Sequence, residues 1–326
     1  MLAKTASWML RAHEHFAVGD MASFAFPPAL IRRLAAFSKL QEHRRAHGYD
    51  ADADVDLDAR DPEFVALMVD FFRAVGERWF RFRVTGAEHL PASGPALLVS
   101  NHSGGVVITD TFLTHVAVFD ALGRNRALHA LGHDFAVDDA VLGPYARRFG
   151  VLRAHKDAAR KALGAGRLVL VYPGSDKDTF RPWKDRHKIE LGGRRGFVRL
   201  ARQAGVPIIP VVSVGTHEQM VVLSRGDRLA RALRTKRWLR TEVLPVTLSI
   251  PWGVTVGFVP YVPLPVPTTV AFGAPIHLPD ADGEDDEEAV DRGYAQVATA
   301  MQDLLTATLA QQRAREGTHD SADPLR

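Results

Sequence analysis

The chain has 326 residues, no cysteine and a formal net charge of +3. Its length fits one large domain with extensions, or two domains, and either can bury a core without staples. The lack of cysteine excludes a disulfide framework, a thiolate zinc site, an iron–sulfur cluster and a cysteine nucleophile.

The small net charge hides a polarised chain. Between Arg147 and Arg240 there are 23 Lys/Arg against 7 Asp/Glu, so that stretch carries +16 and the remainder carries −13. Acidic runs at Asp50–Asp61 and Asp280–Glu288 supply much of the negative charge. Such runs read as solvated loops or helix starts. The basic middle calls for a negatively charged partner or surface.

At the N-terminus, Arg11, His13 and Glu14 interrupt any apolar core of a secretory signal, so none is expected. Residues 1–48 read as short helices. Leu30, Ile31, Leu34 and Phe37 follow Pro27-Pro28 at helical spacing, with Arg32, Arg33, Lys39, Arg44 and Arg45 around them. A basic amphipathic helix of this kind can lie on an anionic membrane or pack on the domain. Asp61-Pro62-Glu63 starts the next helix, whose stripe is Val65, Met68, Val69, Phe72, Val75 and Trp79. The alternation Phe80-Arg-Phe-Arg-Val84 predicts a strand, and the apolar run Ala96–Ser100 predicts a buried parallel one.

Further along, the pattern predicts helices at Asp110–Leu122, 156–163 and Arg194–Ala204. It predicts strands at Leu168–Tyr172 and Val206–Val214, the second broken by Pro207 and Pro210. Residues 243–279 hold no Asp, Glu, Lys or Arg, but their eight prolines argue against a membrane span. Short strands joined by apolar loops fit better, and the loops can dip into lipid or line an apolar pocket. A long helix is expected from Glu284 to Arg315, stopped by Gly317, with Val290, Tyr294, Val297, Met301, Leu304 and Leu305 as its buried stripe.

The alternation of strands and helices predicts an α/β fold with a largely parallel central sheet flanked by helices. N-terminal and C-terminal helical extensions complete it. The expected organisation is a helical segment with an acidic linker at 1–61, the α/β domain at 62–280, and a C-terminal helix and tail at 281–326.

Three loops can carry chemistry. The first is Ser100-Asn-His-Ser-Gly-Gly-Val-Val-Ile-Thr-Asp110, at the carboxyl end of an apolar strand, where open α/β sheets place ligands. If it folds back, Asp110 can hold one imidazole nitrogen of His102 and leave the other as a general base. Equally, Asp110 can be an N-cap and His102 a loop residue. The second is Tyr172-Pro-Gly-Ser-Asp-Lys-Asp-Thr-Phe-Arg181, where Gly174 and Ser175 can point N–H groups at an anion beside Lys177 and Arg181, or simply make a polar turn. It lacks the Gly-Lys-Ser/Thr ending of a phosphate-binding P-loop. The third is Phe149-Gly-Val-Leu-Arg153 with Lys156, where Arg153 can pair a phosphate or sit in a solvated helix start. No Gly-x-Ser-x-Gly elbow and no Gly-x-Gly-x-x-Gly fingerprint occurs. His129-x-x-x-His133-Asp134 reads as structural, and no metal site is expected.

Taken together, these segments resemble the glycerolipid acyltransferase family, over about residues 80–280. Its four blocks occur in order. Asn101, His102 and Asp110 match Asn-His with a nearby Asp. Gly150-Val-Leu-Arg153 matches Gly-x-x-x-Arg, one residue short. Tyr172-Pro-Gly-Ser175 with Asp178 is similar to the Phe-Pro-Gly-Gly variant with an acid three residues on. Val206-Pro-Ile-Ile-Pro-Val211 matches the apolar proline strand. The family's usual gap is His-x-x-x-x-Asp, whereas seven residues separate His102 from Asp110. This gap and the missing Glu after Pro173 look like the neutral-lipid, diacylglycerol-acyltransferase-like branches.

The resemblance implies transfer of a fatty acyl group from acyl-CoA or acyl carrier protein to a hydroxyl of a glycerolipid or lysophospholipid, with no bound cofactor. It implies His102 as general base, Asp110 as its orienting partner and Arg153 as an acceptor-binding residue. Gly174 and Ser175 would hold an oxyanion or the acceptor, near Asp178. Lys156, Lys177 and Arg181 would meet CoA phosphates or lipid headgroups. The basic run Arg225–Arg237 beside the charge-free stretch implies peripheral contact with the cytoplasmic face of a membrane. A nucleic-acid partner is not expected, because the basic run lacks interleaved aromatics. The competing readings are a lipid or thioester hydrolase and a non-catalytic lipid-binding membrane protein.

Overall fold

The computed structural model describes residues 55–238, 241–279 and 287–320. The predicted helices of residues 1–48 lie outside the described residues. The end of the acidic linker is described, and it packs on the domain: Val55 is buried in the core and its carbonyl accepts from Lys161 Nζ at 2.8 Å.

Helix α1 (Pro62–Phe80) starts where its sequence says it should. Asp61 caps it by accepting from the Glu63 and Phe64 amides, and Pro62 fills a first-turn position that needs no amide hydrogen bond. Val65 and Val69 are buried. The helix ends one step later than the strand-like alternation suggests. Phe80 is still helical, Arg81 takes a left-handed conformation at φ 44°, and strand β1 runs only Arg83–Thr85.

The remaining elements alternate. They are β2 (Ala96–Ser100), α2 (Thr109–Leu122), β3 (Leu128–Gly132), α3 (Asp134–Asp138), α4 (Leu142–Phe149), β4 (Leu152–Arg153), α5 (Lys156–Gly164), β5 (Leu168–Val171), α6 (Ser175–Thr179), α7 (Gly196–Ala204) and β6 (Ile208–Val214). Then come β7 (Val221–Ser224), α8 (Asp227–Ala232), α9 (Thr235–Trp238), β8 (Val246–Ser249), β9 (Gly253–Val256), β10 (Thr269–Phe272) and α10 (Glu287–Asp320).

Among the described residues, seven strands form the main sheet in the order β1-β10-β6-β2-β5-β3-β4. Neighbours from β6 to β4 are parallel, β10 runs antiparallel to β6, and β1 is parallel to β10. The fold is therefore the expected α/β class with a largely parallel central sheet. β2 lies at its centre, between β5 and β6, and all five of its residues are buried. Such a strand is apolar on both faces because helices cover both. On one face Leu97, Val99 and Val169 pack with α5, α7 and α10; on the other, Leu98, Leu168 and Leu170 pack with Leu113 and Ala117 of α2.

Two expectations need correcting. Pro210 does not break β6, which is continuous from Ile208 to Val214. The Pro210 carbonyl accepts from Gly273 N just past the end of β10, so the amide that proline lacks faces a strand exit and not a ladder bond. Gly317 does not stop the last helix, which runs on to Asp320. Val290, Val297, Met301 and Leu305 of α10 are buried against the sheet, with Tyr294 and Leu304 partly covered. The residues Glu284 to Asp286, expected in its first turn, lie outside the described residues.

The charge-free stretch forms short strands, as expected. β7, β8 and β9 make a separate antiparallel sheet, and β10 joins the main one. No described helix is long and apolar enough to cross a membrane.

Leu98→Ala empties a fully buried position in the central strand. It should lower unfolding free energy by about 2–5 kcal/mol in urea denaturation, while Leu67→Ala on the exposed face of α1 should change it by less than about 0.5 kcal/mol.

Candidate active site

The site forms where β2 stops. Asn101, buried, accepts from Ser213 N at 2.8 Å and donates to Ser213 O at 3.2 Å, so its amide clasps β6 and fixes the point at which the chain leaves the sheet. Gly104 and Gly105 then turn the loop, at φ 83° and 55°. A Cβ on Gly105 would lie 2.8 Å from Met220 Cε, and one on Gly104 would lie 2.5 Å from the Val107 carbonyl. The left-handed torsions favour glycine at both, and at Gly104 the backbone carbonyl also leaves no room for a side chain. The turn absorbs the long gap between His102 and Asp110 and brings the two together.

Asp110 is fully buried at the start of α2. A buried carboxylate must have its lone pairs satisfied. One oxygen accepts from His102 Nδ1 at 2.7 Å and from Ser103 N at 2.8 Å; the other accepts from its neighbour Thr111 N at 2.7 Å. The contact fixes Nδ1 as the protonated nitrogen and leaves Nε2 for chemistry. The His102 ring stacks on Tyr172, with centroids 4.2 Å apart. Burial works against charging this imidazole, but the Asp110 carboxylate, its hydrogen bond and Asp178 outweigh it, and the pKa is raised from the ordinary 6.5. Burial instead pushes His115 and His129 down to about 4, so both are neutral core groups, each bonded at Nδ1 to a backbone carbonyl.

A second carboxylate lies behind the first. Asp178 accepts from the His102 backbone N–H at 2.5 Å and faces Arg181 at 3.0 Å. Burial lifts its pKa to about 6, against the opposing pull of Arg181. Arg181 also contacts Nε2 of His217, whose pKa burial and this guanidinium depress. The Tyr172 hydroxyl accepts from Thr111 Oγ1 at 2.9 Å, and Tyr261 donates to the Gly104 carbonyl at 2.7 Å. The turn is thus tied down from the main sheet and from the segment after β9.

Other candidates fall differently. The Ser175 N–H donates to the Tyr172 carbonyl at 3.1 Å, so it is not aimed at an anion. Gly174 is buried, and a side chain there would overlap the Glu190 carbonyl and Asp178. Arg181 is 3% exposed and serves as an internal counter-ion to Asp178, which corrects the expectation that it meets CoA phosphates or lipid headgroups. Lys177 pairs with Glu242 at 2.7 Å, and that bond and one from Lys236 pull the Glu242 pKa down to about 2. Arg153 is held by Asp134 at 2.8 Å and Asp138 at 2.5 Å, and Lys156 is exposed at the first turn of α5. His102, Asp110, Asp178 and Arg181 therefore converge, while the contacts of Arg153 and Lys177 are with other carboxylates. Tyr172 and His217 were not among the expected site residues. His217 follows the end of β6, so the strand-end rule that singles out His102 reaches it too.

The Acyltransferase family model matches residues 81–214, the stretch that carries His102, Asp110, Arg153 and Asp178. An uncharacterised protein of Mycobacterium tuberculosis is 32% identical over 292 residues, covering 89% of this chain and 78% of that protein. The chain belongs to the acyltransferase family. This acyltransferase is also similar to a Gallus gallus protein named DGAT1/2-independent enzyme synthesizing storage lipids, 26% identical over 180 residues, which is 55% of this chain and 52% of that one. The crystal structure of the 1-acyl-sn-glycerophosphate acyltransferase PlsC from Thermotoga maritima aligns at a TM-score of 0.45 and 17% identity, covering 74% of this chain and 79% of that one.

Within this acyltransferase, the carboxylate–imidazole pair can take a proton at Nε2 and stabilise the cation that results. Because the folded pKa of His102 is raised, its contribution to stability is complete below the unfolded value of 6.5 and is lost as pH rises through the folded one. In an NMR titration of the imidazole, His102 should titrate above 6.5 in the parent chain and at a lower pH in Asp110→Asn. An unmoved value would show that Asp110 does not set its basicity.

Proposed function

We propose that this acyltransferase moves a fatty acyl group from a thioester, acyl-CoA or acyl carrier protein, to a hydroxyl of a glycerolipid or lysophospholipid. The observation that carries the reading is the 2.7 Å contact between His102 Nδ1 and Asp110, at the carboxyl end of the central strand and inside the segment matched by the family. It supports a working base over a lipid-binding remnant of the fold.

In this reading His102 Nε2 takes the proton of the acceptor hydroxyl as its oxygen attacks the thioester carbonyl. Asp110 holds the ring and stabilises the imidazolium. The tetrahedral intermediate collapses, the carbon–sulfur bond breaks, and the imidazolium returns the proton to the leaving thiolate. No covalent enzyme intermediate forms, which agrees with a chain that has no cysteine. Asp178 and Arg181 hold the His102 backbone in place. The name of the Gallus gallus protein points to storage-lipid synthesis, which supports a lipid hydroxyl as acceptor. The acceptor-binding role of Arg153 requires that a ligand displace or share Asp134 and Asp138. Work at the cytoplasmic face of a membrane fits the substrates.

Thiol release from acyl-CoA in the presence of lipid acceptors tests this. His102→Ala should lower the rate by about a hundredfold to ten-thousandfold. Asp110→Asn should cost less, since the base remains but loses its orientation. Chromatography of the products should show esterified lipid; free fatty acid as the main product would assign the chain to the hydrolases instead.

A further inference from the structure

Two of the three strands of the small sheet, β8 and β9, are built inside out, while β7 turns Val222 to the core. Along β8 and β9, Val246, Leu248, Val254 and Val256 share one face, since Val246 pairs with Val256 and Leu248 with Val254. Thr247 and Thr255 share the other and hydrogen-bond each other at 2.8 Å. In a half-buried antiparallel sheet the apolar face is turned to the core and the polar face to water. Here Thr247 is buried, whereas Leu248, Val254 and Val256 are 46%, 64% and 53% exposed. At the hairpin tip Ile250 and Trp252 are also about half exposed, at 53% and 52%. Ten of the 17 exposed large apolar residues described lie between Leu223 and Val262, so the apolar surface is concentrated and not scattered. Apolar patches of this kind mark interaction sites.

Charge says what covers it. The β7–β8 connection carries α8 and α9, with Arg228, Arg231 and Arg234 exposed beside the exposed Leu229 and Leu233. The whole of residues 243–279 contains no Asp, Glu, Lys or Arg. An uncharged apolar sheet bordered by arginines, with a tryptophan at its tip, matches an anionic bilayer, where the apolar groups enter the headgroup boundary and the arginines meet phosphates. The same element touches the site: Tyr261 bonds the Gly104 carbonyl, Met220 packs at Gly105, and Phe258 contacts Phe180 at 5.3 Å.

We propose that the exposed face of β8 and β9, with the tip at Trp252, is the surface by which this protein docks on an anionic lipid bilayer, holding the His102 loop at the headgroup level. The docking stands on the sheet itself; only what it delivers to His102 rests on the proposed function.

Because the chain lacks cysteine, a single fluorophore can be placed at will. An environment-sensitive nitrobenzoxadiazole label on Val254→Cys of the full chain should brighten and shift to the blue on phosphatidylcholine vesicles containing phosphatidylglycerol, and bromine-labelled lipid chains should quench it. The same label on Ser93→Cys, exposed at the opposite, amino end of β2, should not respond. Arg228→Ser with Arg231→Ser should weaken partitioning about thirtyfold. His102→Ala should bind vesicles like the parent chain, so loss of catalysis and loss of docking are read separately. The proposal is overturned if the chain does not bind, or if it binds while the probe at position 254 stays silent. A blue-shifted probe without vesicles, growing with protein concentration, would assign the face to a second copy and also overturn it.

Discussion

The site depends on one buried charge. Asp110 is removed from water, and a carboxylate in that position is tolerable only if its lone pairs are filled. His102, Ser103 and Thr111 fill them. Much of the loop geometry follows. The chain must double back after β2, two glycines supply the turn, and the imidazole is held by its Nδ1 with Nε2 left over. Asp178 and Arg181 form a second layer that grips the His102 backbone. Asn101 ties the strand end to β6, so the loop is anchored to the most buried part of the sheet.

Charge polarity along the chain takes on a physical meaning in the fold. Much of the positive middle is matched by carboxylates of the flanks and of its own loops. Arg195 and Arg199 of α7 and its lead-in pair with Asp291 and Glu287 of α10, and Arg148 pairs with Asp61 at 2.7 Å. Exposed pairs of this type contribute little stability each. Their effect is to neutralise the body of the domain, so that the exposed arginines of the β7–β8 connection stand out against an uncharged neighbour. Long-range charge separation in sequence becomes local pairing in space, apart from the surface assigned to the bilayer.

The fold class was legible because its strands carry the continuous apolar pattern that two-sided burial demands, and Asp61-Pro62 announces helix α1 without ambiguity. What escaped reading was local. Pro210 looks like a strand breaker until β10 is seen to end beside it, and Gly317 looks like a stop signal that the helix simply passes. At the site, His102 and Asp110 were legible as residue types after an apolar strand, but their contact was not, since it depends on glycine torsions at 104 and 105. Basic side chains were the least legible group. Arg181 reads as a surface phosphate ligand and is an internal counter-ion, because sequence gives charge without saying which carboxylate folds against it. Residues 243–279 read as short strands joined by apolar loops, but which face of β8 meets water could not be read from them.

The most direct test of the account is the pH dependence of kcat/KM for thiol release in the parent chain and in Asp110→Asn. If His102 must be neutral and its basicity is set by Asp110, the parent profile should rise with pH through an apparent pKa above the ordinary 6.5, and the variant's rise should fall at lower pH with a lower plateau. A profile that is flat across this range, or an inflection that Asp110→Asn leaves in place, would contradict it.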